Sequence, residues 1–233
     1  MKLPRYVIAL RHRDFRIFWY GLVISQTGVW MQNIAMSWLV YRITGSVFML
    51  GLIAFAAQIP VLFLAPVGGL LADRFDRRLL LAGMVAVLAL TSAVLSAIAA
   101  FGTLQVWHLA VGSLVNGFGW LTDNPLRRTM MGDSVGRERM ATAMALDIMA
   151  MNVSRMIGPT LGGVVLVVAG IEGAFLVSAG LYLLALGATL AVKSRTAPTG
   201  HGTPVLASMR EGFAAVRRDR RLAAILAVTV VYN

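Results

Sequence analysis

The stretch from Gly68 to Arg78, GGLLADRFDRR, places five charges within the six residues Asp73 to Arg78, directly between two long apolar runs. Its setting decides the fold. Hydrophobic residue types make up 58% of the 233 residues and charged ones only 13%, and the mean hydropathy is strongly positive, outside the usual range of soluble domains. Apolar stretches of about 20 residues recur on both sides of the charged turn, and that length at a rise of about 1.5 Å per residue crosses a hydrocarbon core of about 30 Å. A closed membrane barrel would instead show segments of about 10 residues alternating in polarity. No such alternation is present. The sequence therefore describes an all-α integral membrane protein in contact with the lipid bilayer.

Six spans can be read, over residues 17–41, 47–71, 79–101, 104–126, 140–170 and 174–192, so that 1–192 forms a six-helix bundle. The fifth is longer than a bilayer needs and must tilt or begin outside it. Of the 21 Lys and Arg residues, 19 fall in the N-terminal tail, the second and fourth connections and the segment after the sixth span, all on one side of this topology. Loop Lys and Arg mark the cytoplasmic side. Both ends of the bundle, the N-terminus included, are thus expected in the cytoplasm of a multi-pass inner-membrane protein. The formal charge of +11 then reads as a topology signal, and no nucleic-acid partner is expected.

Residues 193–220 read as a basic cytoplasmic linker, and 221–233, beginning LAAILAVTVVY, as the truncated start of a seventh span or as a tail lying on the membrane. The N-terminus, MKLPRYVIALRHRDFR, lacks the short apolar core and small-residue cleavage site of a secretory signal. The absence of cysteine excludes a disulfide framework, a thiolate metal site and a cysteine nucleophile.

The second span contains AAQIPVLFLAPVGG and the fifth SRMIGPTLGGVV, so that Pro66 and Pro159 are each followed closely by paired glycines. This suggests two three-span repeats. Three spans being an odd number, the two units must be inverted relative to each other.

Polar side chains in a membrane face protein or water, so stripes of them locate a cavity. Gln26, Trp30, Asn33 and Ser37 share one face of the first span, and Asn116, Trp120 and Asp123 one face of the fourth. Two readings are open: a lined pathway for an organic solute, or interhelical hydrogen bonding. In the fifth span Asp147, Asn152 and Arg155 interrupt an otherwise apolar helix. Asp147 and Arg155 lie about 12 Å apart along the axis and cannot pair directly. Arg155 sits well within the span and carries either a role in substrate or conformational coupling or a structural pairing. Pro159 is expected to kink this helix, while Gly158, Gly162 and Gly163 permit close backbone approach, as a hinge, a seal or plain packing.

No Walker pattern, HExxH or serine elbow is present, Gly117-Phe118-Gly119 lacks the rest of a dinucleotide loop, and His108 has no partner at metal-ligand spacing. No enzyme activity, cofactor or metal is expected.

The residues GLLADRFDRR, Gly69 to Arg78, between a second and a third span, resemble the signature loop of the major facilitator superfamily. Gly69, Leu71, Asp73, Arg74, Arg77 and Arg78 match, and Asp76 stands where glycine is usual. SRMIGPTLGG, Ser154 to Gly163, resembles the fifth-helix antiporter signature, with Ser154 in place of its first glycine. DFRIFWYGLVISQTGVWMQ, YRITGS and the stretch NPLRRTMMGDSVGRERMATAMALD are similar to the enterobactin-exporter and macrolide-efflux branch. A further signature, an Arg in the fourth helix, is missing: Ser113 stands in its place ahead of Asn116-Gly117. The resemblance covers the chain but only the N-terminal half of a twelve-helix member, whose partner would be a C-terminal six-helix half.

The resemblance implies a secondary active transporter that exports a small organic compound of drug or siderophore type by alternating access, with the proton gradient as energy source. It also implies a gating motif of Gly69, Asp73, Arg74, Arg77 and Arg78, in which Asp73 faces the other half and Arg77 reaches Asp123. Uptake or lipid transport, or a fragment or scaffold that transports nothing, are the alternatives.

Overall fold

The computed structural model describes residues 13–74, 76–136 and 140–192; the side chains of 62–74, 124–125 and 133–135, the linker 193–220 and the apolar tail 221–233 lie outside that description. Every element among the described residues is helical: α1 (Arg13–Thr44), α2 (Val47–Arg74), α3 (Arg77–Ala100), α4 (Val106–Val135) and α5 (Met140–Ala191). A helix satisfies its own backbone groups where no water can, so runs this apolar have few alternatives. Among the described residues, α3 and α5 are long and apolar enough to cross a membrane, and Val47–Val61 forms a shorter apolar helical stretch.

Long as it is, α5 is not one rod. Gly170 breaks it with φ 71° and ψ −173°, a left-handed conformation that side chains other than glycine's resist, and leaves arms of 140–169 and 171–191. Pro159 lies inside the first arm. Gly45, at φ 62°, similarly ends α1 and donates to the Tyr41 carbonyl at 2.8 Å.

Several helices overrun their apolar spans. α4 continues through Arg127 and Arg128 to Val135, since a helix needs apolar side chains only where lipid surrounds it. At the start of α3, Asp76 supplies the N-cap: its carboxylate accepts from the backbone N–H of Arg78 at 2.9 Å and of Leu79 at 3.4 Å. The residue that replaces the usual glycine thus starts the next helix, a contribution of about 1 kcal/mol for a good cap.

α1 packs most extensively on α5, α3 also lies against α5, and α2 packs chiefly on α4. Small residues permit these crossings. A Cβ on Gly158 would come within 2.5 Å of the Trp30 Cβ, and one on Gly162 within 3.0 Å of the Met31 Cγ, so both glycines seat α5 against α1. A Cβ on Gly117 would lie 2.0 Å from the Ala57 carbonyl oxygen, which makes glycine necessary where α4 crosses α2. A Cβ on Gly163 would meet nothing within 4 Å among the described residues outside its own stretch of helix.

The core falls into three clusters along the bundle. One, at the end where α1 and α3 begin, joins Phe15, Phe18, Leu81, Leu126, Met131 and Leu146. At the far end Met36, Leu39, Ile53, Leu109 and Phe175 pack together. Between them Val29, Val85, Leu88 and Ala89 surround Tyr182, whose hydroxyl donates to the Gln32 side-chain oxygen at 3.0 Å. Outside, Val167, Val168, Leu183 and Leu184 are bare, as befits a surface solvated by acyl chains.

Candidate functional site: a polar cavity beside a buried ion network

Between α1, α2 and α4 lies a cavity of about 360 Å³, within the range of roughly 300–1,000 Å³ that small-molecule sites occupy. Asn33 and Ser37 reach it from α1, Gln58 from α2, and Ser113, Asn116 and Trp120 from α4. The helical register explains the convergence. Asn33 and Ser37 are one turn apart on α1, as are Asn116 and Trp120 on α4, so each pair shares a face, and Gly117 lets α2 close the third wall. The buried Asn116 turns its amide NH₂ towards the Met36 sulfur at 3.9 Å, and its side-chain oxygen has no donor among the described residues.

Of the α1 stripe, then, Asn33 and Ser37 line the cavity, while its other two members go elsewhere. Gln26 is buried and donates to the Asp123 carboxylate at 3.2 Å, next to a smaller pocket that also touches Asn116 and Trp120. Trp30 faces α5. Gln58 carried no sequence signal, because one amide in AAQIP has no polar neighbour at helical spacing.

Asp123 belongs to an ion network. Arg127, one turn further along α4 and only 1% exposed, pairs with Asp123 and with Asp147 of α5, the latter at 3.1 Å. Counting Arg127 among the loop basic residues concealed this role: α4 extends past it, and a buried guanidinium takes carboxylate partners. Asp147 is likewise buried, held by Arg127 rather than by Arg155.

The gating motif is described only in part. Gly69, Asp73 and Arg74 fall in the final turns of α2, outside the side-chain description. Arg77 is buried in the first turn of α3. Arg78 crosses to the last turn of α5, where its guanidinium donates to the Leu190 carbonyl. A cation over the C-terminal carbonyls of a helix is favoured by their partial negative charge, so Arg78 fastens the start of α3 to the end of α5.

On the first arm of α5, Ser154 donates to the Val23 carbonyl at 3.1 Å and accepts from the Thr27 hydroxyl at 3.3 Å, tying α5 to α1. Beside this tie the Arg155 guanidinium lies over the Trp30 ring, 5.1 Å from its centroid. Asn152 is exposed and bonds to the Ile148 carbonyl of its own helix, at 3.0 Å.

The chain is 26% identical over 160 residues to the staphyloferrin A transporter of Staphylococcus aureus, covering 68% of this chain and 40% of that protein. It is 22% identical over 227 residues to macrolide efflux protein A of Streptococcus pyogenes, covering 94% of this chain and 55% of that protein. An uncharacterized MFS-type transporter, YfiS, of Bacillus subtilis is 26% identical over 162 residues, covering 69% of this chain and 38% of its own length. The chain spans about half the length, or less, of these relatives. No solved structure gives a significant match. The profile of the family described as transmembrane secretion effector matches residues 7–233. With that match running through nearly all of the chain, over a helical membrane protein with a polar cavity between its helices, the chain belongs to the transmembrane secretion effector family of the major facilitator superfamily.

Proposed function

We propose that the chain forms the substrate-binding N-terminal half of a secondary active transporter that exports a small organic compound through the bacterial inner membrane. The single observation that carries this reading is the cavity between α1, α2 and α4. It is of drug size, with apolar walls and a few convergent polar groups at Asn33, Ser37, Gln58, Ser113 and Asn116. Staphyloferrin A and macrolides in the names of the two relatives support an organic solute.

Counting the two arms of α5 separately gives six spans, with the N-terminus in the cytoplasm. An inverted repeat of α1–α3 against α4 and the two arms is supported by the packing. The repeat exchanges α1 with α4 and α2 with the first arm, and α1 meets that arm as α4 meets α2, each crossing made close by glycine. A second six-helix half would complete the pathway, and rocking between the halves would give alternating access, driven by the proton gradient. Arg78 and the Asp123–Arg127–Asp147 network would brace the cytoplasmic gate, with Asp73 and Arg77 as its latch.

Export of a fluorescent organic probe from cells expressing the full-length protein tests this. Asn116→Leu, which fills the cavity and removes its free acceptor, is expected to lower the export rate about tenfold or more with normal membrane insertion. Export unchanged in Asn116→Leu and in Ser37→Leu would remove the cavity from the pathway. Dissipating the pH gradient at constant membrane potential tests proton coupling, which predicts that export stops.

A further inference from the structure

We propose that Arg155, laid across the Trp30 ring, recognises a carboxylate on the transported compound, so that the substrate class is an organic acid. This rests on the export reading and specifies its substrate. Arg155 is exposed on an arm whose neighbours Met156, Ile157 and Leu161 are exposed apolar residues. A guanidinium is costly in hydrocarbon, so it faces water or a polar partner. Among the described residues no carboxylate pairs with it. Asp147, the acidic residue on the same arm, is engaged by Arg127.

What Arg155 does have is a platform. Gly158, three residues along and on the same face, allows α1 so close that the Trp30 ring lies under the guanidinium. A position over an indole face is favourable for a guanidinium, and no described residue accepts from its fork of N–H donors. A fork of that kind fits the two oxygens of a carboxylate. The Trp30 Nε1–H also has no acceptor among the described residues. The pair is therefore rich in donors and without an acceptor. Neither Trp30 nor Arg155 lines the cavity itself; on α1, Trp30 lies between Val29 and Asn33, which do.

Purified full-length protein tests the assignment by thermal shift, with 1-naphthoate and citrate as carboxylate probes and their methyl esters as neutral controls. Either acid is expected to raise Tm and its ester not. In Arg155→Gln the apparent affinity should fall about tenfold or more, the scale of a lost charge-assisted hydrogen bond. Arg155→Lys should restore it in part, and Trp30→Leu should weaken it more than Trp30→Phe, which keeps a ring. The proposal is overturned if neither acid shifts Tm, or if acid and ester act equally. It is also overturned if only phosphatidylglycerol acts, and through Arg155, which would make the site one for lipid headgroups. If Arg155→Gln alone lowers Tm and the wild type ignores both acids, the residue pairs with a carboxylate of the other half, and the proposal falls. Export of a neutral probe separates the two levels. If the wild type exports it but binds neither acid, the export reading survives and this one fails. If the wild type moves no probe, the export reading itself fails.

Discussion

Arg127 and Arg155 are both arginines in helices of a membrane protein, and the bundle treats them in opposite ways. Arg127, at the end where α1 and α3 begin, is 1% exposed and held by Asp123 and Asp147. Arg155, further along α5, is exposed and lies on an aromatic face. A buried charge without its partners is strongly destabilising, so the first site is committed to holding α4 against α5. The second makes no ion pair among the described residues and is the one proposed to meet a ligand. Position in a helix did not separate the two; the neighbours did.

The largest effect that sharpens this contrast is expected from Arg127→Leu. It leaves the buried Asp147 and the part-buried Asp123 without their cation and should cost about 3–5 kcal/mol, read as a fall in Tm of the purified protein and in its yield. Adding Asp123→Asn and Asp147→Asn should recover much of that loss. A Tm unchanged by Arg127→Leu would break the comparison. Next comes Gly158→Ala, which drives a methyl against Trp30 and should cost about 1–3 kcal/mol by overpacking. The same change at Gly163, with open space around it, should cost nothing measurable.

A smaller effect belongs to Asp76→Ala at the Arg127 end, where loss of the α3 cap should lower stability by about 1 kcal/mol. Asp76→Gly should lower it by only a few tenths, and a thermal melt of each variant distinguishes them. Smallest of all is the stability effect of Arg155→Gln, expected within about 0.5 kcal/mol. Its consequence should appear in ligand binding instead. A melt that fell as far in Arg155→Gln as in Arg127→Leu would erase the distinction between the two sites.

The helices were legible because apolar runs of membrane length have one economical backbone, and the break between the fifth and sixth runs was marked by Gly170. The candidate cavity was half legible. Asn33, Ser37, Asn116 and Trp120 share helix faces and meet where their register places them, but Gln26 and Trp30 of the same stripe turn to different neighbours. The stripe is wide enough on α1 to touch α2, α4 and α5 together. Gln58 and Arg127 were not legible as site residues, the first for want of a periodic partner, the second because an arginine near a span's end looks like any loop arginine.

Sequence alone determined the class of molecule, because transfer of apolar surface from water is additive along the chain and needs no knowledge of what touches what. It also marked, through GGLLADRFDRR, where two helices meet. Tertiary structure decided which charges are spent and which are free. Arg78 reaches the Leu190 carbonyl across 112 residues of chain, Asp123 and Asp147 share one guanidinium, and Arg155 rests on an indole from another helix. The energy of a charge in low dielectric depends on distances of a few ångströms, and those are set by how the helices cross.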